Sequence, residues 1–218
     1  MTIGLIPAAG LGTRTRCQEP KELQSINGKT LIDYSIENLL EAGIDRICVV
    51  TRKGKESIRS HLERRFPYLD ILYSSQEPPH VNLIDAFKAA YPHIANAVVH
   101  LALPDTILSP VPYPKYRNQP LLLHCYRQVA DEWRHFGCVD REAEHVIEKP
   151  GVPFGDACWG ALSWNPTFTE FLMSEDDLTE AFNAFGFESM FSIQRYTDYG
   201  LRPFSPESTS RSAFEKAI

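Results

Sequence analysis

The 218-residue chain has no apolar run long enough to form a membrane-spanning helix. No signal peptide is expected either, because Met1-Thr2-Ile3 leads directly into an apolar segment. There is no basic tract. Lys and Arg number 22 against 28 Asp and Glu, a net charge of −6, which disfavours a general binder of nucleic-acid backbones. Cysteine is sparse: Cys17, Cys48, Cys125, Cys138 and Cys158 are scattered, odd in number and contain no C-x-x-C pair. A zinc site and a disulfide framework are both poor readings of that pattern, and reduced thiols in a cytoplasmic protein are expected. The P-loop string G-x-x-x-x-G-K-[ST] does not occur, and Thr15 stands where a Rossmann fingerprint needs its third glycine. With no matched acid at the end of the second strand, a NAD-dependent oxidoreductase is disfavoured. Internal repeats and low-complexity tracts are also missing.

What the chain does have is a loop dense in glycine and positive charge. The apolar run Ile3–Ile6 reads as a buried strand, and Ala8-Ala9-Gly10-Leu11-Gly12-Thr13-Arg14 follows, with Lys21 seven residues further on. Gly10 and Gly12 let the backbone approach a ligand closely. Successive backbone N–H groups in such a loop make an anion-binding concavity, to which Arg14 and Lys21 add fixed positive charge. The chemistry is that of a triphosphate site. A bare G-x-G is weak by itself, since an ordinary strand-to-helix turn carries the same letters.

The remaining pattern predicts alternating strands and helices. Helices are expected from Thr30, as N-cap with Asp33, to Gly43, over Glu56–Phe66 and over Asn82–Tyr91. Strands are expected at Arg46–Thr51, Leu69–Tyr73 and Ala97–Leu103. Alternation of this kind implies a mostly parallel, Rossmann-like α/β sheet flanked by helices, with ligands at the carboxyl ends of its strands. The proline-rich stretch Ser109–Pro120 reads as an irregular loop beside a substrate pocket. The second half is richer in strands, at Leu121–Tyr126, Trp133–Val139, His145–Glu148, Ala157–Trp164 and Met190–Tyr196. Short helices are expected at Pro166–Met173 and Asp176–Phe185, with a helical turn near Phe214. His100, His124, Trp133 and Trp164 read as core residues.

The glycine loop, with Pro20-Lys21 at its end, resembles the A-A-G-x-G-T-R…P-K signature of the nucleotidyltransferases that act on sugar 1-phosphates. That family joins a nucleoside triphosphate to a phosphorylated acceptor and releases pyrophosphate. Its other motifs have counterparts here in the same order. Asp105, in Leu103-Pro104-Asp105-Thr106, stands where the family has Gly-Asp-Asn. Glu148-Lys149-Pro150 follows Phe136-Gly137. Tyr196-x-Asp198-x-Gly200 stands for Trp-x-Asp-x-Gly. The resemblance implies that Ala8, Ala9, Gly10, Leu11, Gly12 and Thr13 cradle the triphosphate and that Gln76 reads the base. Arg14 and Lys21 would be catalytic, and Asp105 and Asp198 would hold Mg²⁺. Gly137, Glu148, Lys149, Trp159 and Gly160 would line the acceptor site. It also implies one domain over residues 1–218, with a nucleotide-binding half, 1–108, and a substrate half, 109–218.

The expected partners are UTP, dTTP or CTP and a phosphorylated small molecule, with no nucleic acid and no membrane; a homodimer is the base-rate expectation. Pro104, Thr106, Tyr196 and Asn82 depart from the family pattern. Two other readings stand beside a sugar 1-phosphate transferase. One is a cytidylyltransferase for a non-sugar phosphate or phosphonate, such as phosphocholine. The other is a non-catalytic module that binds nucleotide sugars and regulates a partner.

Overall fold

A computed structural model describes residues 1–11, 19–128 and 132–200. In chain order the elements are β1 (Thr2–Pro7), β2 (Ser25–Ile26), β3 (Lys29–Thr30), α1 (Leu31–Glu41), β4 (Arg46–Thr51), α2 (Glu56–Arg65) and β5 (Asp70–Ser75). Then come α3 (Leu83–Ile94), β6 (Val98–Leu101), β7 (Thr106–Ser109), β8 (Leu121–Arg127), β9 (Gly137–Asp140), β10 (His145–Glu148) and β11 (Ala157–Trp164). The last elements are α4 (Pro166–Leu172), α5 (Leu178–Phe185), β12 (Glu188–Phe191) and β13 (Arg195–Asp198). Among the described residues no helix is long and apolar enough to cross a membrane.

Continuous apolar runs make the strands at the centre of the sheet. β1 and β4 are buried along most of their length, as strands covered on both faces must be. β6, β1, β4 and β5 lie side by side and parallel. β11 then runs antiparallel to β6 and also carries β8 and β9, while β10 completes that edge and β12 joins β8 in parallel. Nine strands of the described residues thus form one mixed sheet, with the parallel part where strands and helices alternate. α1 and α2 cover one face through Ile32, Ile36, Leu39, Ile58 and Leu62. α3, α4 and α5 cover the other through Phe87, Ile94, Phe168 and Phe182. Gly4 is small for a packing reason: a Cβ there would lie 2.5 Å from Leu39 Cδ1 of α1.

The expected architecture holds, and several local expectations do not. Thr30 is the N-cap residue of α1, as expected, but its side chain makes no capping bond and no capping box with Asp33 forms. Both turn to His61 of α2, at 3.2 Å from Thr30 Oγ1 and 2.7 Å from Asp33 Oδ1, and so tie α1 to α2. α3 continues through Pro92 to Ile94, because the proline falls in the last turn and Ile94 is anchored in the core. Around Trp133 the backbone makes a 3-10 turn, and β9 begins only at Gly137. The run Met190–Tyr196 is not one strand: β12 pairs with β8, and after a break at Ser192–Gln194 the chain crosses to pair β13 with β7. The loop Ser109–Pro120 does not line the cleft that holds Glu148 and Lys149. Tyr113 is buried, donates to the Leu101 carbonyl (2.9 Å) and packs on His100 and His124. The helical turn expected near Phe214 lies outside the described residues.

Candidate active site

β1 delivers the chain to the loop at the carboxyl end of the parallel strands. Ala8 and Ala9 are buried, and the Ala8 amide donates to Val50 O (2.7 Å), extending the β1–β4 ladder. Leu11 is exposed. No described atom lies within 4 Å of the Cβ position at Gly10. Gly12, Thr13 and Arg14 lie outside the described residues. After Pro20, whose fixed φ starts the turn, Lys21–Leu23 forms a 3-10 turn. It aims Lys21 across the carboxyl ends of the strands, where its Nζ donates to Asp105 Oδ2. Burial pulls the Lys21 pKa down, but attraction to Asp105, and then to Glu22 and Asp198, outweighs it and leaves the pKa raised.

Asp105 and Asp198 are remote in sequence and meet through the β7–β13 pair. Asp198 is registered opposite Thr106, and the Tyr199 amide donates to the Asp105 carbonyl at 2.9 Å. The Gly200 amide donates to Asp198 Oδ1 at 2.6 Å. A Cβ on Gly200 would lie 2.6 Å from Asp105 Oδ2 and 3.0 Å from Asp198 Oδ1, so the glycine keeps a cradle open beside both carboxylates. The departures at Pro104 and Thr106 are accommodated: Thr106 is buried, and its hydroxyl donates to Leu103 O (3.2 Å), closing the turn that presents Asp105. Among the described residues no cluster of three or more His, Cys, Asp or Glu is arranged to hold a metal. Two carboxylates are what a cation that also binds phosphate oxygens and water requires.

Asp198 also borders a cleft of about 400 Å³ lined by Gly137, Glu148, Lys149 and Trp159. β9 and β10 pair so that Gly137 faces Glu148 directly. A Cβ on Gly137 would lie 2.0 Å from Trp159 Nε1 and 2.9 Å from Glu148 Oε2, so only glycine lets the indole and the carboxylate share this floor. A bulge in β11 between Trp159 and Ala161 re-aims the indole toward the cleft, and Trp159 Nε1 is buried with no hydrogen-bond partner among the described residues. Lys149 has φ 46°, a left-handed conformation uncommon for a residue with a side chain, and its amide bonds to Phe136 O (3.0 Å). Its Nζ lies 3.1 Å from Glu148 Oε1.

Two expected site residues are placed differently. Gly160 packs on the Tyr196 ring, 2.8 Å from its Cβ position, and does not line the cleft. Gln76 is buried and spends its Nε2 on the carbonyl of Asn82 (3.0 Å), holding the turn before α3; it does not line the cleft either. The cleft also takes His135, Phe136, Asn82, Asp177, Thr179 and Tyr196, which the sequence reading did not place there. Tyr196 was visible as the substitute for the family tryptophan. Asp177, expected inside a helix over Asp176–Phe185, is instead the N-cap of α5, where it accepts bonds from the amides of Thr179 and Glu180.

The chain is similar in sequence and in fold to known proteins. A UTP–glucose-1-phosphate uridylyltransferase of Escherichia coli is 31% identical over 129 residues, 48% of this chain and 43% of that protein. One from Bacillus subtilis is 48% identical over 63 residues, 27% of this chain and 21% of that protein. The matched regions thus span less than half the length of these curated relatives. Two solved structures share the fold. A UTP-bound UGPase from Acinetobacter baumannii has a TM-score of 0.80 at 18% identity, covering 99% of this chain and 93% of that one. A UDP-glucose pyrophosphorylase complexed with UDP-glucose has a TM-score of 0.80 at 21% identity, covering 99% of each chain. The model of the MobA-like NTP transferase domain matches residues 4–116, more than half of the chain, and the chain belongs to that family.

Proposed function

We propose that this chain is a nucleotidylyltransferase that joins a nucleoside triphosphate, UTP before the others, to a sugar 1-phosphate and releases pyrophosphate. The observation that carries this reading is the meeting of Lys21, Asp105 and Asp198 at the carboxyl ends of the parallel strands, with Asp198 also lining the cleft that holds Glu148 and Lys149. The uridylyltransferase relatives support UTP and a sugar 1-phosphate.

In this reading the backbone from Ala8 to Gly10 lies along the triphosphate. An acceptor phosphate oxygen attacks the α-phosphorus, the bond to the pyrophosphate oxygen breaks, and no covalent enzyme intermediate forms. Lys21 places its ammonium between the α-phosphate and the acceptor phosphate, and Arg14 is assigned the leaving pyrophosphate. Catalysis is positioning and charge stabilisation. Glu148 accepts hydrogen bonds from acceptor hydroxyls and Lys149 holds the acceptor phosphate as a mobile point charge. Asp105 and Asp198 are hard oxygen donors beside a cradle kept open by Gly200, and they fit Mg²⁺. When bound, such an ion offsets negative charge on the phosphate oxygens.

A second reading, transfer to a cationic non-sugar phosphate such as phosphocholine, is favoured by one feature: Phe136, Trp159 and Tyr196 line the cleft together with the acids Glu148 and Asp177. Aromatic faces with nearby carboxylates suit a quaternary ammonium. Pyrophosphate release, with Mg²⁺, across five nucleoside triphosphates and a panel of hexose 1-phosphates, phosphocholine and phosphonates decides between them. Turnover is expected with UTP and a hexose 1-phosphate. Turnover with CTP and phosphocholine alone would establish the second reading, and triphosphate binding without any turnover would leave an acceptor outside the panel or a regulatory module.

Lys149 supplies a separate test. Its left-handed backbone costs on the order of 1 kcal/mol for a side-chain-bearing residue, and glycine relieves that cost while adding a similar loss of backbone entropy. Lys149→Gly is therefore expected to unfold within a few degrees of the wild type while the acceptor KM rises at least tenfold. An unchanged KM would remove Lys149 from the acceptor site.

A further inference from the structure

Beneath the proposed phosphate loop lies an ion pair that the transfer chemistry does not use. Glu22, next to Lys21 in the 3-10 turn, is fully buried. Its Oε1 accepts a 2.7 Å bond from Lys55 Nζ, and the same ammonium donates to the carbonyl oxygen of Ala8 at 2.8 Å. Lys55 is itself only 8% exposed, at the start of α2, where its amide bonds to Arg52 O (3.1 Å) and fixes it to the turn after β4. Burial lowers the Lys55 pKa, against the pull of Glu22. Neither residue lines the cleft.

The placement is specific. Ala8 is where the chain leaves β1 for the loop, and Glu22 is where it returns. One ammonium therefore grips both ends of the stretch that carries Gly10 and Lys21, and roots them in the β4–α2 turn. Lys21 and Glu22 leave the same 3-10 turn in different directions, Lys21 to Asp105 and Glu22 to Lys55. When Lys21 turns from Asp105 toward phosphate, the contact between Glu22 and Lys55 still holds the turn. Two buried charges are an expensive way to fill space, since apolar residues of similar volume often stabilise a fold as well or better. Their value lies in direction: an ammonium with two fixed acceptors sets where both loop ends sit.

We propose that Glu22 and Lys55 form a positioning clasp that holds Lys21 and the entry of the phosphate loop in register for transfer. The kinetic part of this inference rests on the proposed function; the structural part does not.

The test is the double variant Glu22→Leu/Lys55→Met, which removes both charges together and leaves no unpaired buried ion. It is expected to unfold cooperatively near the wild-type midpoint. The amides of Leu23 and Gln24, which close the turn, should exchange with solvent at least tenfold faster than in the wild type. kcat for pyrophosphate release should fall about 30-fold, with the acceptor KM within twofold. A purely structural pair would leave exchange and kcat at wild-type values once the double variant folds, and that result overturns the clasp. If the double variant does not fold, Lys55→Arg is read instead. It keeps the charge but replaces the single point that bonds both Glu22 and Ala8 with a planar fork, and a several-fold drop in kcat with faster Leu23 exchange is expected. Wild-type values of both would overturn the clasp. A wild type silent across the substrate panel would refute the proposed function, and amide exchange alone would then decide the clasp.

Discussion

Asp105→Asn is expected to lower kcat/KM for pyrophosphate release by about three orders of magnitude, the loss typical of removing a group aimed at charge in the transition state. The substitution keeps the shape of the side chain. It also keeps the backbone bond from Tyr199 to the Asp105 carbonyl, so the β7–β13 junction survives. What it removes is the negative charge that Lys21 pairs with and one of the two carboxylates at the Gly200 cradle. The effect on the fold is small by comparison. Asp105 and Asp198 repel each other across the cradle, so neutralising one relieves repulsion while it weakens the Lys21 pair. The unfolding midpoint should move by only a few degrees, corresponding to about 1 kcal/mol in a chain of this size. Asp198→Asn should behave similarly, and if the two carboxylates hold one ion together, as proposed, the double variant should be little worse than either single one. Steady-state kinetics over a range of Mg²⁺ concentrations, with thermal unfolding of each variant, checks this. An Asp105→Asn enzyme that keeps a tenth of wild-type kcat/KM would remove Asp105 from the mechanism.

How much of this was legible beforehand depended on whether a residue's role is local. β4, β10 and β11 have the bounds expected from their apolar pattern, because turn residues bracket each run. β7 was not visible: four residues behind Pro104 carry no usable period, and the strand exists only because β13 comes to pair with it. The same dependence hides the break at Ser192–Gln194, where the chain leaves β8 for β7. At the site, Lys21, Asp105 and Asp198 stood out because each belongs to a recognisable motif. Glu22 and Lys55 did not. Neither residue belongs to a motif, and only the fold puts them 2.7 Å apart and out of water. Gln76 shows what sequence leaves out in the other direction: its Nε2 bonds to the Asn82 carbonyl, a contact that the residue type does not announce.

Lys21→Met should be the most damaging single change to kcat, again by about three orders of magnitude, because Lys21 Nζ donates to Asp105 and its charge is also drawn to Asp198. Lys21→Arg should recover little of it. The site calls for a compact charge that can move from Asp105 to phosphate, and a guanidinium is a rigid planar fork. The charge state can be checked separately, through stability in the presence of a chelator. Burial alone would lower the Lys21 pKa, but Asp105, Glu22 and Asp198 together raise it. A lysine whose pKa is raised in the folded state contributes stability that is fully present below its ordinary pKa of about 10.4 and is lost as pH rises through the folded value. The difference in unfolding midpoint between wild type and Lys21→Met should therefore stay constant from pH 7 to about pH 9 and begin to shrink only above pH 10. A difference that already fades near neutral pH would mean that burial wins and the amine is neutral at working pH. A neutral amine could not stabilise the developing charge on the α-phosphate, so that result would undo the role assigned to Lys21 even if the variant were inactive.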